Sequence, residues 1–484
     1  MISHPRGAAY QVEKPGPLSL ELPAAVRAKA AYSCRRPPRA RRRFVSEAVE
    51  RTILEVSSAI ADDEVRWLFS NCLPNTLDTT ITLDKDAAGR PDAFVITGDI
   101  AAMWLRDSTN QVWPYLALAS GDADLMDLFR GLINRQAACV RIDPYANSFY
   151  RDGAEVGEWQ SDQTDMRPGV HERKYELDSL CAVLRLACGF YFRTGDTQCF
   201  DAEWLKTVDL ILQTLRHEQA GSDEQGDADG GPVYQFRRTT PFATDTLTNQ
   251  GLGNPFARTG MSRSAFRPSD DAATFQHLVP ANAMAVVCLR DLAKMLRDLS
   301  LAPHLATEAD ALATDIDAGI QAHAVVRHRT FGDVYAYEVD GFGGVTLMDD
   351  ANVPSLLALP YLGYCDAADP LYVATRALVL SRANPYFFAG DAGEGVGGPH
   401  VGPGWVWPMA VVLRALTSQD DAEILACLRQ LKATHADTGF MHEAFWKDDA
   451  TRFTRSWFAW ANSLFGELIL HLHRTRPHLL AATL

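Results

Sequence analysis

Residues 44–73 read FVSEAVERTILEVSSAIADDEVRWLFSNCL, and apolar residues recur through this stretch at helical spacing. Apolar side chains at positions i, i+3, i+4 and i+7 fall on one face of an α-helix, so the stretch predicts amphipathic helix. The same pattern predicts helices over residues 107–119, 123–141, 174–194, 201–217, 270–298, 303–325, 353–363, 369–382, 404–417, 420–434 and 456–474. The chain is therefore predicted to be all-α.

Helices that follow one another without intervening strands bury their apolar faces against each other. About a dozen such helices can form an open solenoid or a closed ring of helical hairpins, the (α/α)6 barrel. A solenoid has a repeating sequence unit, and we find none in this sequence. We therefore predict an (α/α)6 barrel, whose loops and helix starts gather at one end around a central cavity.

Extended segments are few and lie in the connections between helices. LDTTITLD (77–84) and PDAFVIT (91–97) flank a polar turn, which is the pattern of a β-hairpin, and VYAYEVDGFGG (334–344) is a second candidate. No linker divides the chain. We predict an N-terminal arm over residues 1–43 and one barrel domain over residues 44–484, with short hairpins in the loops at the active-site end.

Charge and composition exclude several classes of protein. The net charge of −15 disfavours a nucleic-acid or anionic-membrane surface and suits a neutral ligand. RRPPRARRR (35–43) is a basic exception, for which an arm folded against the acidic body is favoured over a nucleic-acid patch. The cysteines are scattered singly, MISHPRGAAYQVEKPG has no apolar signal region, and no apolar run is long enough to span a membrane. We predict a cytoplasmic protein that binds neither nucleic acid nor membrane.

Polar and aromatic residues cluster in the predicted loops. Most tryptophans lie in or beside these loops, next to carboxylates and amides. This combination is typical of sugar binding, because aromatic faces cover C–H patches while polar groups bind hydroxyls. Two carboxylic acids beside such a cleft suit glycoside hydrolysis, in which one protonates the leaving oxygen and the other activates water. From the residues alone the pair stays open among Asp107, Asp178, Asp270, Asp271, Glu394 and Glu443.

FRPSDDA (266–272) contains the most suggestive pair of acids. Ser269 is a predicted helix N-cap, with Asp270 and Asp271 in the first turn. Adjacent acids repel, which can keep one of them protonated as a general acid requires. The alternative is that both only complement the helix dipole.

Two further motifs carry charged residues with weaker indications. Lys174, Glu176 and Asp178 have the spacing of one helix face, for which i,i+4 salt bridging is the alternative to a role in the site. MDDANVPS (348–355) resembles a metal loop, but further ligands at EF-hand spacing are missing. We predict no metal site and no cofactor.

The chain resembles glycoside hydrolase family 125 over about residues 35–470. The resemblance lies in motifs that occur in the family's order: DIAAMWLRDSTNQVWPYL, DPYANSF, KYELDSL, FRPSDDA, MDDANVPSLLALPYLGY and FTRSWFAWANSLFGELI. It implies an (α/α)6 barrel and an exo-acting α-mannosidase that removes non-reducing terminal α-1,6-linked mannose, with inversion and without a metal. The implied partner is an α-mannoside oligosaccharide or a mannosylated glycan.

The resemblance also implies roles for single residues. By motif, Asp270 is the general acid, with Asp271 as the nearby alternative, and Glu443 of MHEAF is the general base. In an inverting enzyme two such carboxyls stand roughly 6.5–9.5 Å apart. The residues that we predict to bind substrate are Trp104, Arg106, Asp107, Lys174, Glu176, Asp178, His400, Trp405, His442, Trp460 and Asn462.

Two alternative functions remain beside this one. The first is another (α/α)6 enzyme, such as a glucosidase or a sugar isomerase; an isomerase needs paired histidines, and His400 and His442 are those in the motifs. The second is a catalytically silent mannoside-binding protein, in which Asp270 and Glu443 are too far apart to share one water.

Overall fold

The computed structural model describes residues 32–225 and 234–484. Most of the predicted N-terminal arm, residues 1–31, lies outside the described residues. The α-helices are α1 (Glu47–Ala59), α2 (Asp63–Cys72), α3 (Asn75–Thr79), α4 (Leu105–Val112), α5 (Ala123–Ile142), α6 (Leu177–Thr194), α7 (Ala202–His217), α8 (Val279–Asp298), α9 (Pro303–His323), α10 (Leu359–Leu362), α11 (Pro370–Val379), α12 (Pro408–Leu416), α13 (Asp421–Ala433), α14 (Ala459–Thr475) and α15 (Pro477–Leu480).

Short strands and 3-10 helices fill the connections. The strands are β1 (Ile81–Lys85), β2 (Pro91–Val95), β3 (Met103–Trp104), β4 (Ser148–Phe149), β5 (Val170–Glu172), β6 (His277–Leu278), β7 (Val325–His328), β8 (Gly332–Tyr335), β9 (Glu338–Val339), β10 (Val345–Thr346), β11 (Phe387–Ala389), β12 (Glu394–Val396), β13 (Trp405–Val406), β14 (Phe445–Trp446) and β15 (Asp449–Phe453). The 3-10 helices are Arg39–Arg41, Trp113–Gly121, Glu158–Ser161, Ala243–Asp245 and Asn249–Gly251.

The helices form an inner and an outer layer. Helices α4, α6 and α8 pack side by side in the inner layer, and α14 packs against both α4 and α12. In the outer layer, α9 packs along α8, α13 packs along α12, and α7 packs against α5. One hydrophobic core extends from Phe44 to Leu480. Two layers of paired helices around a buried centre are the (α/α)6 arrangement, so the predicted fold class is confirmed.

Helix α4 lies at the centre, and all of its residues are buried although most are polar. The amide nitrogen of Gln136 on α5 lies 3.1 Å from the carbonyl oxygen of Leu105, 2.9 Å from Ser108 Oγ and 2.9 Å from Thr109 Oγ1. Because an unpaired buried polar group costs about 1–3 kcal/mol, these bonds allow a polar helix to occupy the centre of the barrel.

The stretch 44–73 is divided into two helices. Helix α1 ends at Ala59 and α2 begins at Asp63, because the Asp62 side chain accepts from the backbone N–H groups of Glu64 and Val65, both at 3.1 Å. Such a cap satisfies donors that have no partner in the first turn. The apolar pattern is continuous across this break, so periodicity alone does not reveal that a second helix begins at Asp63.

The predicted helix over 270–298 begins later than expected. Helix α8 starts at Val279, and the residues before it form β6 and an irregular loop in which Asp270 has φ of 65°. The predicted N-cap role of Ser269, with two aspartates in the first turn, is therefore wrong. A residue at this positive φ cannot belong to a right-handed helix.

Three other predicted helices are shorter in the structure. Segment 107–119 is α-helical only to Val112, 353–363 contains only the short α10, and 404–417 begins with β13 before α12. The helical segment that follows each break has a proline in its first turn. Proline is tolerated there, but it has no N–H to donate inside a helix.

The first predicted hairpin is confirmed and the second is divided between two sheets. Strands β1 and β2 pair antiparallel between Ile81 and Val95. Within VYAYEVDGFGG, β8 pairs with β7, whereas β9 pairs with β10 and with β6.

The described part of the basic arm is folded against acidic side chains, as predicted. Arg36 donates to Asp78 Oδ2 at 2.7 Å and pairs with Glu50, and Arg42 donates to Glu50 at 2.9 Å. Within the residues that the structure describes, no helix is both long and apolar enough to cross a membrane.

A substitution at Gly131 of α5 tests the packing of this helix against β2. A Cβ placed on Gly131 would lie 2.8 Å from the backbone nitrogen of Ala93, so Gly131→Ala should destabilise the fold by about 1–3 kcal/mol, although alanine favours helix. The measurement is thermal or urea unfolding. Gly121→Ala, where a Cβ meets nothing within 4 Å, is the control. Equal stability of the two variants would contradict this packing.

Candidate active site

A pocket lies where the inner helices begin. Trp104, Trp407 and Phe458 immediately precede α4, α12 and α14, and all three line it. The other lining residues are Thr97, Ile100, Arg106, Asp107, Pro268, Ser269, Asp270, Asn352, His400, Glu443, Arg455 and Trp460. Both predicted catalytic carboxyls, Asp270 and Glu443, therefore belong to one pocket at the N-terminal end of the inner helices.

Arg106 is the central positive charge of the pocket, and it is almost fully buried. Its Nη1 lies 2.5 Å from Glu176 Oε2 and 3.2 Å from Asp178 Oδ2. Its Nη2 lies 3.2 Å from Asp107 Oδ2 and 3.8 Å from Asp270 Oδ1. One guanidinium, which does not lose its proton in proteins, therefore faces four carboxyl groups.

The surplus of carboxyl groups keeps protons in this cluster. Burial raises the pKa of Glu176 well above its ordinary value and also raises the pKa of Asp178, although Arg106 opposes both shifts. Burial likewise raises the pKa of Asp107 to about 6. Because carboxylates this close cannot all ionise without strong repulsion, protons remain bound in the cluster near neutral pH.

Asp270 is held in a strained backbone conformation. Its φ of 65° lies in the left-handed region, which residues other than glycine rarely adopt. The buried Lys174 donates from Nζ to the Asp270 carbonyl oxygen at 2.8 Å and to Asp245 Oδ1 at 2.7 Å. Asn147 Nδ2 lies 3.3 Å from Asp270 Oδ1. Such strain costs on the order of 1–3 kcal/mol and persists where surrounding contacts impose it.

The two adjacent aspartates have different surroundings. The Asp270 side chain is 27% exposed and lines the pocket, whereas the Asp271 side chain is 3% exposed and its Oδ1 lies 3.9 Å from His400 Nδ1. Ser269, which directly precedes the two aspartates, donates from Oγ to Asp350 Oδ2 at 2.8 Å. Of the two aspartates, Asp270 is the one that a ligand in the pocket can touch.

Glu443 lies in the loop between α13 and β14 and has its own set of partners. Thr454 Oγ1 donates to Glu443 Oε2 at 3.0 Å, and Arg455 Nη1 lies 3.5 Å from Oε1. Arg455 also pairs with Asp99. Burial raises the pKa of Glu443, and the charge of Arg455 opposes that shift. A raised pKa makes the ionised carboxylate a stronger base.

Several buried polar atoms of the pocket have no hydrogen-bond partner among the described residues. They are Trp104 Nε1, Arg106 Nε, Asp107 Oδ2 and Trp407 Nε1. Buried donors and acceptors are normally paired, because an unpaired one costs about 1–3 kcal/mol. Such atoms beside indole faces match a ligand with several hydroxyl groups and apolar C–H patches.

Three residues predicted to bind substrate lie outside the pocket lining, around Arg106 and Asp270. Lys174, Glu176 and Asp178 are buried, and their contacts are with Arg106, Asp270 and their neighbours. The alternative of an i,i+4 bridge between Lys174 and Asp178 is also wrong, because α6 begins only at Leu177. The observed contacts of these residues hold the site together, and their contact with substrate stays a prediction.

Trp405 and His442 are also not among the residues that line the pocket. Trp405 packs edge-on against Trp446, with ring centroids 5.5 Å apart. His442 stacks on Phe453 at 4.0 Å, and burial lowers its pKa to about 4. Of the two motif histidines, His400 lines the pocket. The paired histidines that a sugar isomerase requires are therefore not brought together.

Asn462 is buried and supports the pocket from behind. It accepts from the backbone N–H of Met441 at 2.8 Å and donates to Asn75 Oδ1 at 3.0 Å, so it fixes the segment that leads to Glu443. Asn462 is not among the residues that line the pocket, and its contact with substrate stays a prediction. The remaining predicted binding residues, Trp104, Arg106, Asp107, His400 and Trp460, do line the pocket.

Eight residues that line the pocket were not among the predicted site residues. They are Thr97, Ile100, Pro268, Ser269, Asn352, Trp407, Arg455 and Phe458. Trp407 and Phe458 stand directly before helices, a position that could have marked them because the pocket is built from helix starts. Asn352 and Arg455 lie in the motifs MDDANVPSLLALPYLGY and FTRSWFAWANSLFGELI, which could have marked them.

The carboxyl groups of MDDANVPS (348–355), the weak candidate for a metal loop, accept hydrogen bonds from other groups of the protein. Asp349 accepts from the backbone N–H groups of Leu356 at 2.8 Å and Leu357 at 2.9 Å. Asp350 accepts from Ser269 and, at 3.2 Å, from Asn352. Across residues 32–225 and 234–484, no group of three or more His, Cys, Asp or Glu side chains is placed to hold a metal ion.

Comparison with known proteins gives consistent results. Residues 62–470 match the family model of metal-independent α-mannosidases, glycoside hydrolase family 125. The meiotically up-regulated gene 157 protein of Schizosaccharomyces pombe is 46% identical over 455 residues, which are 92% of this chain and 89% of that protein. A metal-independent α-mannosidase of Streptococcus pneumoniae, solved as a non-productive complex with α-1,6-mannobiose, is 42% identical with a TM-score of 0.84, over 90% of this chain and 100% of that chain.

A more distant structure shares the fold alone. A bacterial glucoamylase complexed with acarbose has a TM-score of 0.50 at 14% identity, over 86% of this chain and 57% of its own.

Arg106→Met should leave the surrounding carboxyls without their counter-ion. We expect a loss of about 3–5 kcal/mol in unfolding free energy. The folded-state pKa values of Glu176, Asp178 and Asp107 lie above their unfolded values, so the loss is small at low pH, where both states are protonated, and grows as pH rises. Thermal unfolding between about pH 5 and pH 8 measures it.

The control is Arg327→Met, which removes an exposed arginine paired with Asp333 at 3.2 Å. It should change stability by less than about 1 kcal/mol. An Arg106→Met variant whose stability followed that of Arg327→Met at every pH would refute the electrostatic role of Arg106.

Proposed function

The chain belongs to glycoside hydrolase family 125, the metal-independent α-mannosidases, and we propose that it removes terminal α-1,6-linked mannose from non-reducing ends with inversion. The observation that carries this proposal is that Asp270 and Glu443 line one pocket, while separate side chains hold each of them. The complex of the Streptococcus pneumoniae relative with α-1,6-mannobiose supports the choice of linkage.

Asp270 is the general acid in this proposal. It gives its proton to the glycosidic oxygen as the bond from that oxygen to the anomeric carbon breaks, so the leaving sugar departs as a neutral alcohol. The surrounding carboxyls favour bound protons, which an acid needs near neutral pH. The exposure of Asp270 in the pocket and the burial of Asp271 support this assignment.

Glu443 is the general base. It removes a proton from a water molecule that attacks the anomeric carbon from the face opposite the leaving group. Thr454 and Arg455 fix its carboxyl for this role. We expect the Asp270 and Glu443 carboxyls to stand roughly 6.5–9.5 Å apart, with room for that water, rather than the roughly 5 Å of retaining enzymes.

The terminal mannose is bound by polar atoms that accept or donate no hydrogen bond within the described residues, although Asp107 Oδ2 is in an ion pair with Arg106. Arg106 Nε can donate to one sugar hydroxyl and Asp107 Oδ2 can accept from another. The Arg106 guanidinium already lies over the Trp460 ring, 5.6 Å from the ring centroid. The indole of Trp104 is a second aromatic group that lines the pocket. Arg106 therefore both neutralises the cluster and binds the sugar.

Asp270→Asn tests the identity of the acid. On α-1,6-mannobiose we expect kcat/KM to fall about 10²–10⁴-fold, because the leaving sugar needs a proton. On α-mannosyl fluoride the loss should be much smaller, because fluoride leaves without one.

Asp271→Asn is the matched control, since it removes the adjacent carboxyl. It should not show this dependence on the leaving group. If instead Asp271→Asn lost mannobiose hydrolysis selectively and Asp270→Asn kept it, Asp271 would be the acid.

Arg455→Met tests the base through pH. The charge of Arg455 holds down the pKa of Glu443, so its removal should move the acidic limb of the kcat/KM profile to higher pH, because the base must be ionised. Arg452→Met is the control, since Arg452 packs against Trp446, 4.8 Å from its centroid. An acidic limb that stays in place in Arg455→Met would argue against Glu443 as the base.

A further inference from the structure

Glu176 is a buried carboxyl beside the proposed acid that takes no part in the mechanism so far. It immediately precedes α6 and is 1% exposed. Ser, Thr, Asp and Asn side chains at this position usually accept from the first backbone N–H groups of the helix. Glu176 makes no such capping bond. Its carboxyl is turned instead toward Arg106 and Asp270.

Three side chains fix the Glu176 carboxyl. Its Oε2 accepts from Arg106 Nη1 at 2.5 Å and from Ser179 Oγ at 2.9 Å. Its Oε1 lies 3.4 Å from Asn147 Nδ2, and the same nitrogen lies 3.3 Å from Asp270 Oδ1. Burial raises the pKa of Glu176; the charge of Arg106 opposes this shift, while the negative charges of Asp270 and Asp178 and an interaction with the Asp270 side chain add to it.

The charges around this pair do not neutralise it. Arg106 is the nearest cation, and it also serves Asp107 and Asp178. Lys174 pairs with Asp245 at 2.7 Å.

The remaining charges lie on β5 and the loops beyond it. Glu172 Oε2 lies 3.0 Å from Asn147 Nδ2, while Glu172 Oε1 lies 2.9 Å from Arg238 and 3.5 Å from Lys174. Arg238 also pairs with Asp162 at 2.6 Å and with Asp245 at 3.2 Å. The acids therefore outnumber the bases on every side of Glu176 and Asp270, which favours a bound proton.

We propose that Glu176 is a positioning residue for the general acid: Glu176 and Asp270 hold one proton between them, and Asp270 delivers that proton to the glycosidic oxygen. This inference rests on the proposed function, in which Asp270 is the acid. It assigns a role in proton retention to a residue that does not line the pocket.

The proton balance of a turnover is simple. Asp270 transfers the shared proton to the glycosidic oxygen, and the electron pair of the broken bond passes to that oxygen. Glu443 receives one proton from the attacking water, whose oxygen bonds to the anomeric carbon. The carboxyl pair has lost one proton and Glu443 has gained one, and exchange with solvent restores both.

Glu176→Gln tests this role, because glutamine keeps the shape of the side chain and removes its charge. Glutamine cannot share a proton with Asp270. We expect the alkaline limb of the kcat/KM profile for α-1,6-mannobiose to move down by about one pH unit or more. The alkaline limb for α-mannosyl fluoride should not move, and retained fluoride hydrolysis shows that the variant is folded.

Two further variants sharpen the test. Asp178→Asn removes a carboxyl that lies 3.2 Å from the same Arg106, so it controls for loss of charge alone and should give a smaller shift. Glu176→Asp keeps the acid but shortens it by one methylene, so it should move the limb in the same direction by less than Glu176→Gln.

The outcomes separate this inference from the proposed function. An unmoved alkaline limb in Glu176→Gln, or equal losses on both substrates in both Glu176 variants, would overturn the role of Glu176. Wild-type protein that releases no mannose, or Asp270→Asn with full activity on mannobiose, would overturn the proposed function itself.

Discussion

The contact between the Arg106 guanidinium and its ring of carboxyl groups is the interaction on which the site depends. A buried guanidinium cannot give up its proton, and an unpaired buried ion costs several kcal/mol, so acids gather around it. Glu176, Asp178 and Asp107 lie within 3.2 Å of its terminal nitrogens, and Asp270 stands at 3.8 Å, where the cluster meets the pocket. The excess of acids over bases retains protons at the place where the proposed chemistry needs one.

The barrel explains why these groups can meet. Helix α4 buries its polar side chains because α5 and α6 supply hydrogen-bond partners, and its first turn then presents Arg106 to the pocket. Glu176 and Asp178 come from the start of α6, and Asp270 comes from the loop before α8. Glu443 comes from another part of the ring, after α13. The proposed acid and base are thus carried by different elements, which allows each to have its own electrostatic surroundings.

Helical periodicity predicted the fold class because each helix buries one stripe, and stripes are visible in sequence. It failed over 270–278, where the residues read as a helix start but Asp270 has a positive φ and its carbonyl accepts from Lys174. The family motifs assigned Asp270, Glu443 and Arg106 to the site, and all three line one pocket in the structure. They did not predict that Glu176 and Asp178 lie outside the pocket lining, because burial depends on contacts between distant segments. The cytoplasmic location and the single-domain boundary at residue 44 stay predictions.

The central claim is that Asp270 and Glu443 act on opposite faces of the anomeric carbon in one displacement, with Glu443 activating the water. Proton NMR during hydrolysis of α-1,6-mannobiose reports this directly, because the first mannose released keeps its configuration until it mutarotates. Single displacement yields β-mannose as the first product. First release of α-mannose would contradict it, since a retained configuration requires a covalent intermediate and a closer carboxyl pair.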